Sequence, residues 1–172
     1  VTDLQVERML AETGPSNGLI MRPQDGEIPK KIGFVQTFGS ADEKLRDATL
    51  IFGVNEAVLA QKQIEGADIT FISPEMDAFK GSVSDVGKVS GVNFINGTVF
   101  EAAEAGEDGH IEVKYEAGGE KTETFDLVVL LTQPQLPPNI EAAAKQLGVE
   151  VSYASFLDKP GETVDSDKPG VV

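Results

Sequence analysis

Apolar positions along the 172-residue chain change their spacing in a definite order, and that order predicts a fold. The continuous apolar run 32–35 ends shortly before Gly39, and a second run, 69–72, starts just after Gly66, so each reads as a buried strand punctuated by glycine. Between them, residues 45–64 carry Ala48, Ile51, Phe52, Val54, Val58 and Leu59 at helical spacing. Strand, loop, helix and strand make one βαβ unit, whose strands are parallel and whose crossover helix lies on one face. The rest of the chain is arranged around this unit.

Upstream, residues 4–11 form a short amphipathic helix with Val6, Met9 and Leu10 on one side. Gly14-Pro15 and Asn17-Gly18 stop it and turn the chain. Residues 19–29, with two prolines and an Asp-Gly turn, read as a linker. Residues 73–81 read as a loop or a single helical turn, with Phe79 in the core. Beyond Gly91 the period drops to two: 92–95, 98–103, 110–116 (Ile111, Val113 and Tyr115 on one face) and 121–125 are strands parted by Gly109 and Gly118-Gly119, an antiparallel meander laid on one face of the sheet. The run 127–131 is apolar throughout, as a parallel strand buried on both faces must be. Asn139 is placed to cap a helix over 140–147 that ends at Gly148. Residues 149–156 read as a short closing strand, and the polar stretch from 158 to 172 as a tail or linker. The predicted class is α/β, a Rossmann-like parallel sheet with crossover helices and a β-meander, divided as 1–29 (helix and linker), 30–156 (Rossmann-like domain) and 157–172 (tail).

Composition narrows the chemistry. A net charge of −15 repels nucleic acid and anionic lipid over a screening length of about 8 Å. No run reaches the roughly 18 apolar residues of a membrane helix, and the expected compartment is the cytoplasm, with contact to a membrane complex only through partners. The absence of Cys excludes a thiol nucleophile, a redox dithiol and a Cys-ligated cluster within the chain. A single His leaves little room for a Ser–His–Asp triad or a multi-His metal site; His110, in Glu107-Asp108-Gly109-His110, reads as a surface turn residue. Glu101, Glu104, Glu107 and Asp108 have neither the partners of a catalytic pair nor the spacing of a calcium loop.

Candidate site residues come from the loop after the first strand, Thr37-Phe38-Gly39-Ser40, which occupies the position of a dinucleotide fingerprint. Gly39 and Ser40 there, and Asn55 on the helix, are the positions that would meet a cofactor. The pattern G-x-G-x-x-G is missing, and without it a pyrophosphate cannot come so close to the backbone. Glu75 and Asp77 follow the second strand without clearly standing in for the acidic residue of a ribose site. Arg22 and Asp25 either reach a flavin on a neighbouring domain or pair with each other.

A family resemblance rests on Gly14-Pro15-Ser16-Asn17-Gly18, Arg22-Pro23-Gln24-Asp25-Gly26 and Pro29-Lys30-Lys31-Ile32-Gly33-Phe34-Val35-Gln36. Glu7-Arg8-Met9-Leu10 and Asp167-Lys168-Pro169-Gly170-Val171 add to it. These stretches resemble the flavin-binding A-type polypeptide of heterodisulfide reductase and its relatives in the quinone-interacting membrane-bound oxidoreductase complex. The likeness covers nearly the whole chain. Asp126 before the strand 127–131 also resembles the flavoprotein disulfide reductases, whose strand begins with Asp and leads to a G-x-x-P turn, here Thr132-Gln133-Pro134-Gln135-Leu136-Pro137-Pro138.

The resemblance implies a fold of the FAD/NAD(P)-binding type and an excised internal domain of a flavoprotein. FAD then belongs to the full-length protein, on a Gly-rich loop outside this chain, and none is held firmly here. In the family, the strand ends in Q-C-V-G-S-R-D and the helix opens with C-S-x-x-C-C, cysteines that hold an iron–sulfur cluster. Aligned through Glu56-Ala57, this chain has Thr37, Leu45, Thr49 and Leu50 at those places, which implies that the relay is absent. The expected partners are other subunits of a redox complex, and the loss points toward the branch working with a quinone-interacting membrane complex in sulfur metabolism. The expected role is a non-catalytic electron-transfer module. Two alternatives stand beside it: an NAD(H)-binding module that passes hydride to the flavin, and an acidic docking domain for redox partners.

Overall fold

The computed structural model describes residues 1–40, 42–83, 85–105, 108–133, 135 and 137–148. Ala41, Glu107, parts of the Pro134–Leu136 turn, the closing strand expected over 149–156 and the tail expected after it lie outside the described residues.

The βαβ unit is β1 (Lys31–Val35), α2 (Glu43–Gln63) and β2 (Asp68–Ser73), preceded by α1 (Asp3–Leu10). Next come α3 (Met76–Ser82), a 3₁₀ turn at Val86–Lys88, β3 (Val92–Asn96), β4 (Thr98–Ala105), β5 (His110–Glu116), β6 (Glu120–Phe125), β7 (Leu127–Leu130) and α4 (Pro138–Leu147). One sheet is parallel, in the order β3-β2-β1-β7; the other is antiparallel, β4-β5-β6.

Alternation along the parallel strands sorts side chains into two cores. Ile32 and Phe34 of β1, Ile69 and Phe71 of β2, and Leu127 and Val129 of β7 face the helices, where they meet Val6, Leu50, Val54, Ala57, Met76 and Phe79. Val35, Ile72 and Val128 point the other way and pack with Val113, Tyr115 and Phe125 of the meander. The Rossmann-like sheet is thus the middle of three layers, with helices on one side and the antiparallel sheet on the other.

Two glycines set the layer spacing. Gly33 of β1 pairs with Thr70 of β2, and a Cβ at Gly33 would stand 3.1 Å from three atoms of the Phe125 ring; without one, the ring lies close over the middle of the sheet. On the other face, a Cβ at Gly53 of α2 would come within 2.5 Å of Leu131 and 3.2 Å of Phe71. The crossover helix therefore approaches the sheet at a position with no side chain.

Asp126, between β6 and β7, fastens the start of β1. One carboxylate oxygen accepts the N–H groups of Lys30 and Lys31 at 2.8 and 2.9 Å, and the other lies 3.1 Å from Nδ1 of His110. Burial pushes the Asp126 carboxyl up, but the Lys31 and Lys30 N–H groups, followed by His110 and Arg22, hold it below the usual carboxylate range.

Several local expectations are revised. α3 has seven residues where a loop or single turn was expected, because Met76 and Phe79, one turn apart, are both buried. His110 opens β5 and is not a free turn residue. α4 starts at Pro138, whose fixed φ suits a first helical position, so Asn139 is not its cap. The segment expected to run as a linker over the surface is tied down by buried Ile20 and Arg22.

Gly33→Val should lower stability by about 1–3 kcal/mol in urea denaturation, because the added side chain meets the Phe125 ring. Paired with Phe125→Leu, the two costs should fall short of their sum by at least about 0.5 kcal/mol; strict additivity would mean that the ring is not what the new side chain meets. Asp126→Ala should cost about 1–3 kcal/mol at neutral pH by leaving two N–H groups unpartnered. Since the folded carboxyl titrates below its ordinary 3.8, its contribution is full above that value and is lost as pH falls through the folded one. The deficit of the Ala variant should therefore narrow in acid.

Candidate functional site

In open α/β sheets the ligand crevice lies outside the carboxyl ends of the strands, at the point where strand order reverses. Here β1 is flanked by β2 on one side and β7 on the other, so the crevice edge is built from the residues after β1, β2 and β7 and from the start of α2.

Those residues satisfy one another. Gln36, fully buried, continues β1 with its N–H on the Ile72 carbonyl at 3.0 Å. Its amide Nε2 donates to Glu75 Oε2 at 2.7 Å, and its Oε1 accepts the Ser73 hydroxyl at 2.5 Å. Ser73 Oγ accepts the Glu75 N–H at 3.0 Å, and Glu75 Oε1 accepts the Ser40 N–H at 3.1 Å. The acidic residue after β2, which in a nucleotide site would face a ribose, is here turned onto the chain's own loop.

The start of α2 is also taken. Asp42 caps the helix, its carboxylate accepting the N–H groups of Lys44 and Leu45 at 2.9 and 3.1 Å. These are two of the orphan donors that a helix N-terminus offers to phosphate, and a carboxylate already takes them. Arg46, one turn on, is paired with Glu43 and Asp47 and donates to the Ser82 hydroxyl.

Among the residues singled out from sequence, Gly39 and Ser40 lie together in this loop and Asn55 does not. Gly39 is exposed, and a Cβ built on it meets nothing within 4 Å, so no other part of the described chain packs closely against it. The Ser40 N–H is spent on Glu75, while its hydroxyl is buried without a partner among the described residues. Asn55 is exposed on α2; with a rise of about 1.5 Å per residue it stands roughly 18 Å along the axis from Glu43. At the positions that the resemblance implies for cluster ligands, Thr37 is exposed, Leu45 is half-buried, Thr49 is buried with its hydroxyl unpartnered among the described residues, and Leu50 is fully buried in the helix-side core. Phe38 packs against that same core.

A cleft of about 1000 Å³ opens at the opposite, amino-terminal edge of the strands, lined by residues that include Arg22, Asp25, Lys30, His110 and Asp126. Arg22 and Asp25 pair with each other there, the guanidinium Nε 3.1 Å from Asp25 Oδ1, and that guanidinium holds the Asp25 carboxyl below its ordinary range. Among the described residues, no group of three or more His, Cys, Asp or Glu is arranged to hold a metal ion.

Sequence reasoning missed three features: the Gln36–Ser73–Glu75 network, the seating of Asp3 on Thr132 and the burial of Glu56. Only the last left a trace, an acidic residue on the same helical stripe as Thr49, Gly53 and Ala60 within an otherwise uncharged stretch.

No protein-family model matches the chain. Curated relatives do. The A-type polypeptide of the H₂:CoB-CoM heterodisulfide,ferredoxin reductase of Methanothermobacter marburgensis is 28% identical over 91% of this chain and 26% of its own length. For its counterpart in the H₂/formate-dependent enzyme of Methanococcus maripaludis the figures are 30%, 91% and 26%, and for that in the ferredoxin-dependent enzyme of Methanosarcina mazei they are 32%, 77% and 18%. The chain thus spans about a quarter or less of the relatives it matches. Among solved structures, an FAD-bound cadaverine monooxygenase of Erwinia amylovora superposes with a TM-score of 0.36 at 13% identity, over 79% of this chain and 42% of that one, a likeness too low to argue from. Along most of its length, the chain is similar to a part of the A-type polypeptides of heterodisulfide reductases.

Proposed function

We propose that this chain is a Rossmann-like module, without chemistry of its own, of a heterodisulfide reductase A-like electron-transfer flavoprotein. It backs the flavin-bearing part of the longer protein and offers surface to the other subunits of a redox complex. The observation that carries this reading is the crevice closed by the chain's own groups: Asp42 occupies the α2 amino-terminal donors, and Glu75 is spent on Gln36 and Ser40.

The groups that the family implies do not fit here. Iron–sulfur clusters are held chiefly by thiolates, and Thr37, Leu45, Thr49 and Leu50 supply none. Leu50 is committed to the core, and the Thr49 hydroxyl is enclosed without a partner among the described residues. FAD needs a loop that lets its pyrophosphate approach the backbone; at Gly39 the loop has no glycine partner, and the donors behind it are capped. FAD therefore belongs to the full-length protein on residues outside this chain. The NAD(H) alternative meets the same obstacle, since its pyrophosphate would displace the Asp42 carboxylate or lie against it. No helix among the described residues is long and apolar enough to cross a membrane, and the module is proposed to meet any membrane complex through partner subunits in the cytoplasm.

Calorimetric titration of the 172-residue chain with NADH should give no saturable heat up to millimolar ligand. Saturable binding that Gly39→Val weakens would overturn the scaffold reading in favour of a cofactor module. Anaerobic incubation with ferrous iron and sulfide, followed by desalting, should leave a colourless protein. Retained iron and sulfide with charge-transfer absorption would show a cluster site that these side chains do not explain.

A further inference from the structure

Glu56 sits on the flank of α2 that meets α1, 3% exposed, and neither carboxyl oxygen has a hydrogen-bond partner among the described residues. The charged groups that act on it are Asp3 and Glu7, both on α1 and both acidic. On its own helix the neighbours along the same stripe, Thr49, Gly53 and Ala60, carry no charge, and the side chain of Leu131, just after β7, lies against Gly53. An ionised carboxylate here would lose its hydration with neither cation nor donor in return, whereas the neutral acid loses far less.

Asp3 is the second part of the device. Only 1% exposed, it accepts the Thr132 N–H on Oδ2 at 2.8 Å, and on Oδ1 both the Thr132 hydroxyl at 2.7 Å and the Leu4 N–H at 2.8 Å. Thr132 follows β7 at its carboxyl end, so the first turn of α1 holds one wall of the crevice edge. The seating of α1 on α2 and the position of that wall are one structural unit.

We propose that Glu56 is a proton-operated latch: with its carboxyl neutral, α1 stays on α2 and Asp3 holds Thr132, and loss of the proton releases the start of α1 and frees the carboxyl end of β7. The latch rests on the α1–α2 seam alone and is independent of the scaffold role proposed for the chain. Burial first, and then the negative charges of Asp3 and Glu7, push this carboxyl from 4.5 up to about 8. A carboxyl whose folded value is raised contributes stability that is full below the unfolded value and is lost as pH rises through the folded one. Release therefore belongs to the mildly alkaline side of neutrality.

Hydrogen exchange followed by mass spectrometry tests this on the whole chain between about pH 6 and about pH 9.5, with rates corrected for the intrinsic pH dependence of exchange. In the wild type, the protection of peptides covering α1 and residues 127–133 should fall at least about tenfold across that range, equivalent to about 1.4 kcal/mol, while α3 keeps its protection. Glu56→Gln should hold α1 protection constant within about twofold, because it cannot lose a proton. Should that variant fail to fold, Glu56→Met serves in its place. Wild-type α1 protection that does not change with pH, or an equal loss in the non-titrating variant, would overturn the latch.

Discussion

A parallel sheet must be covered on both faces, because its strands are apolar throughout and no polar side of the sheet is left for water. In this chain, that requirement governs most of the architecture. One face of the β3-β2-β1-β7 sheet is closed by helices and the other by an antiparallel sheet drawn from the same chain. Both covers come unusually close, over Gly53 on the helix side and over Gly33 on the meander side. Asp126 then ties the junction of the two sheets to the start of β1. The parts are therefore not separable layers: a change at Gly33 is felt by the meander, and a change at Asp126 by both sheets.

The same fold ordinarily leaves an opening at the carboxyl ends of its strands, and it is the treatment of that opening that bears on function. Buried polar groups must find partners, and here they find them inside the chain. Gln36, Ser73 and Glu75 close on one another, Ser40 joins through its N–H, and Asp42 satisfies the donors of α2. A nucleotide entering this edge would have to replace each of these bonds and lie beside two carboxylates. The scaffold role proposed for the chain agrees with this internal closure.

Polar closure is incomplete at only a few points among the described residues, and they are informative. The Ser40 and Thr49 hydroxyls and both oxygens of Glu56 are enclosed without partners. The two hydroxyls are neutral, and their cost is modest. Glu56 carries an ionisable group into the seam between two helices whose other acids repel it, so its proton becomes part of the packing. Through Asp3 and Thr132 that packing reaches the crevice edge from the side of β7.

By itself the sequence determined the class and most of the element order, because these depend on local periodicity; the run 92–95, which reads as part of the meander, is instead β3, parallel to β2 in the main sheet. The runs 32–35, 69–72 and 127–131 became parallel strands of the main sheet, and 110–116 alternates and became the middle strand of the meander. It also determined, through the absence of Cys, that this chain offers no thiolate site. What only the tertiary structure decided are the contacts between residues far apart in the chain: Glu75 with Ser40, Asp3 with Thr132, His110 with Asp126, and the enclosure of Glu56 between two helices. Spacing along a chain carries no information about which polar side chain meets which across such separations. Thus Gly39, Ser40 and Asn55 read as one candidate group in sequence, yet the rise along α2 sets Asn55 far from the loop.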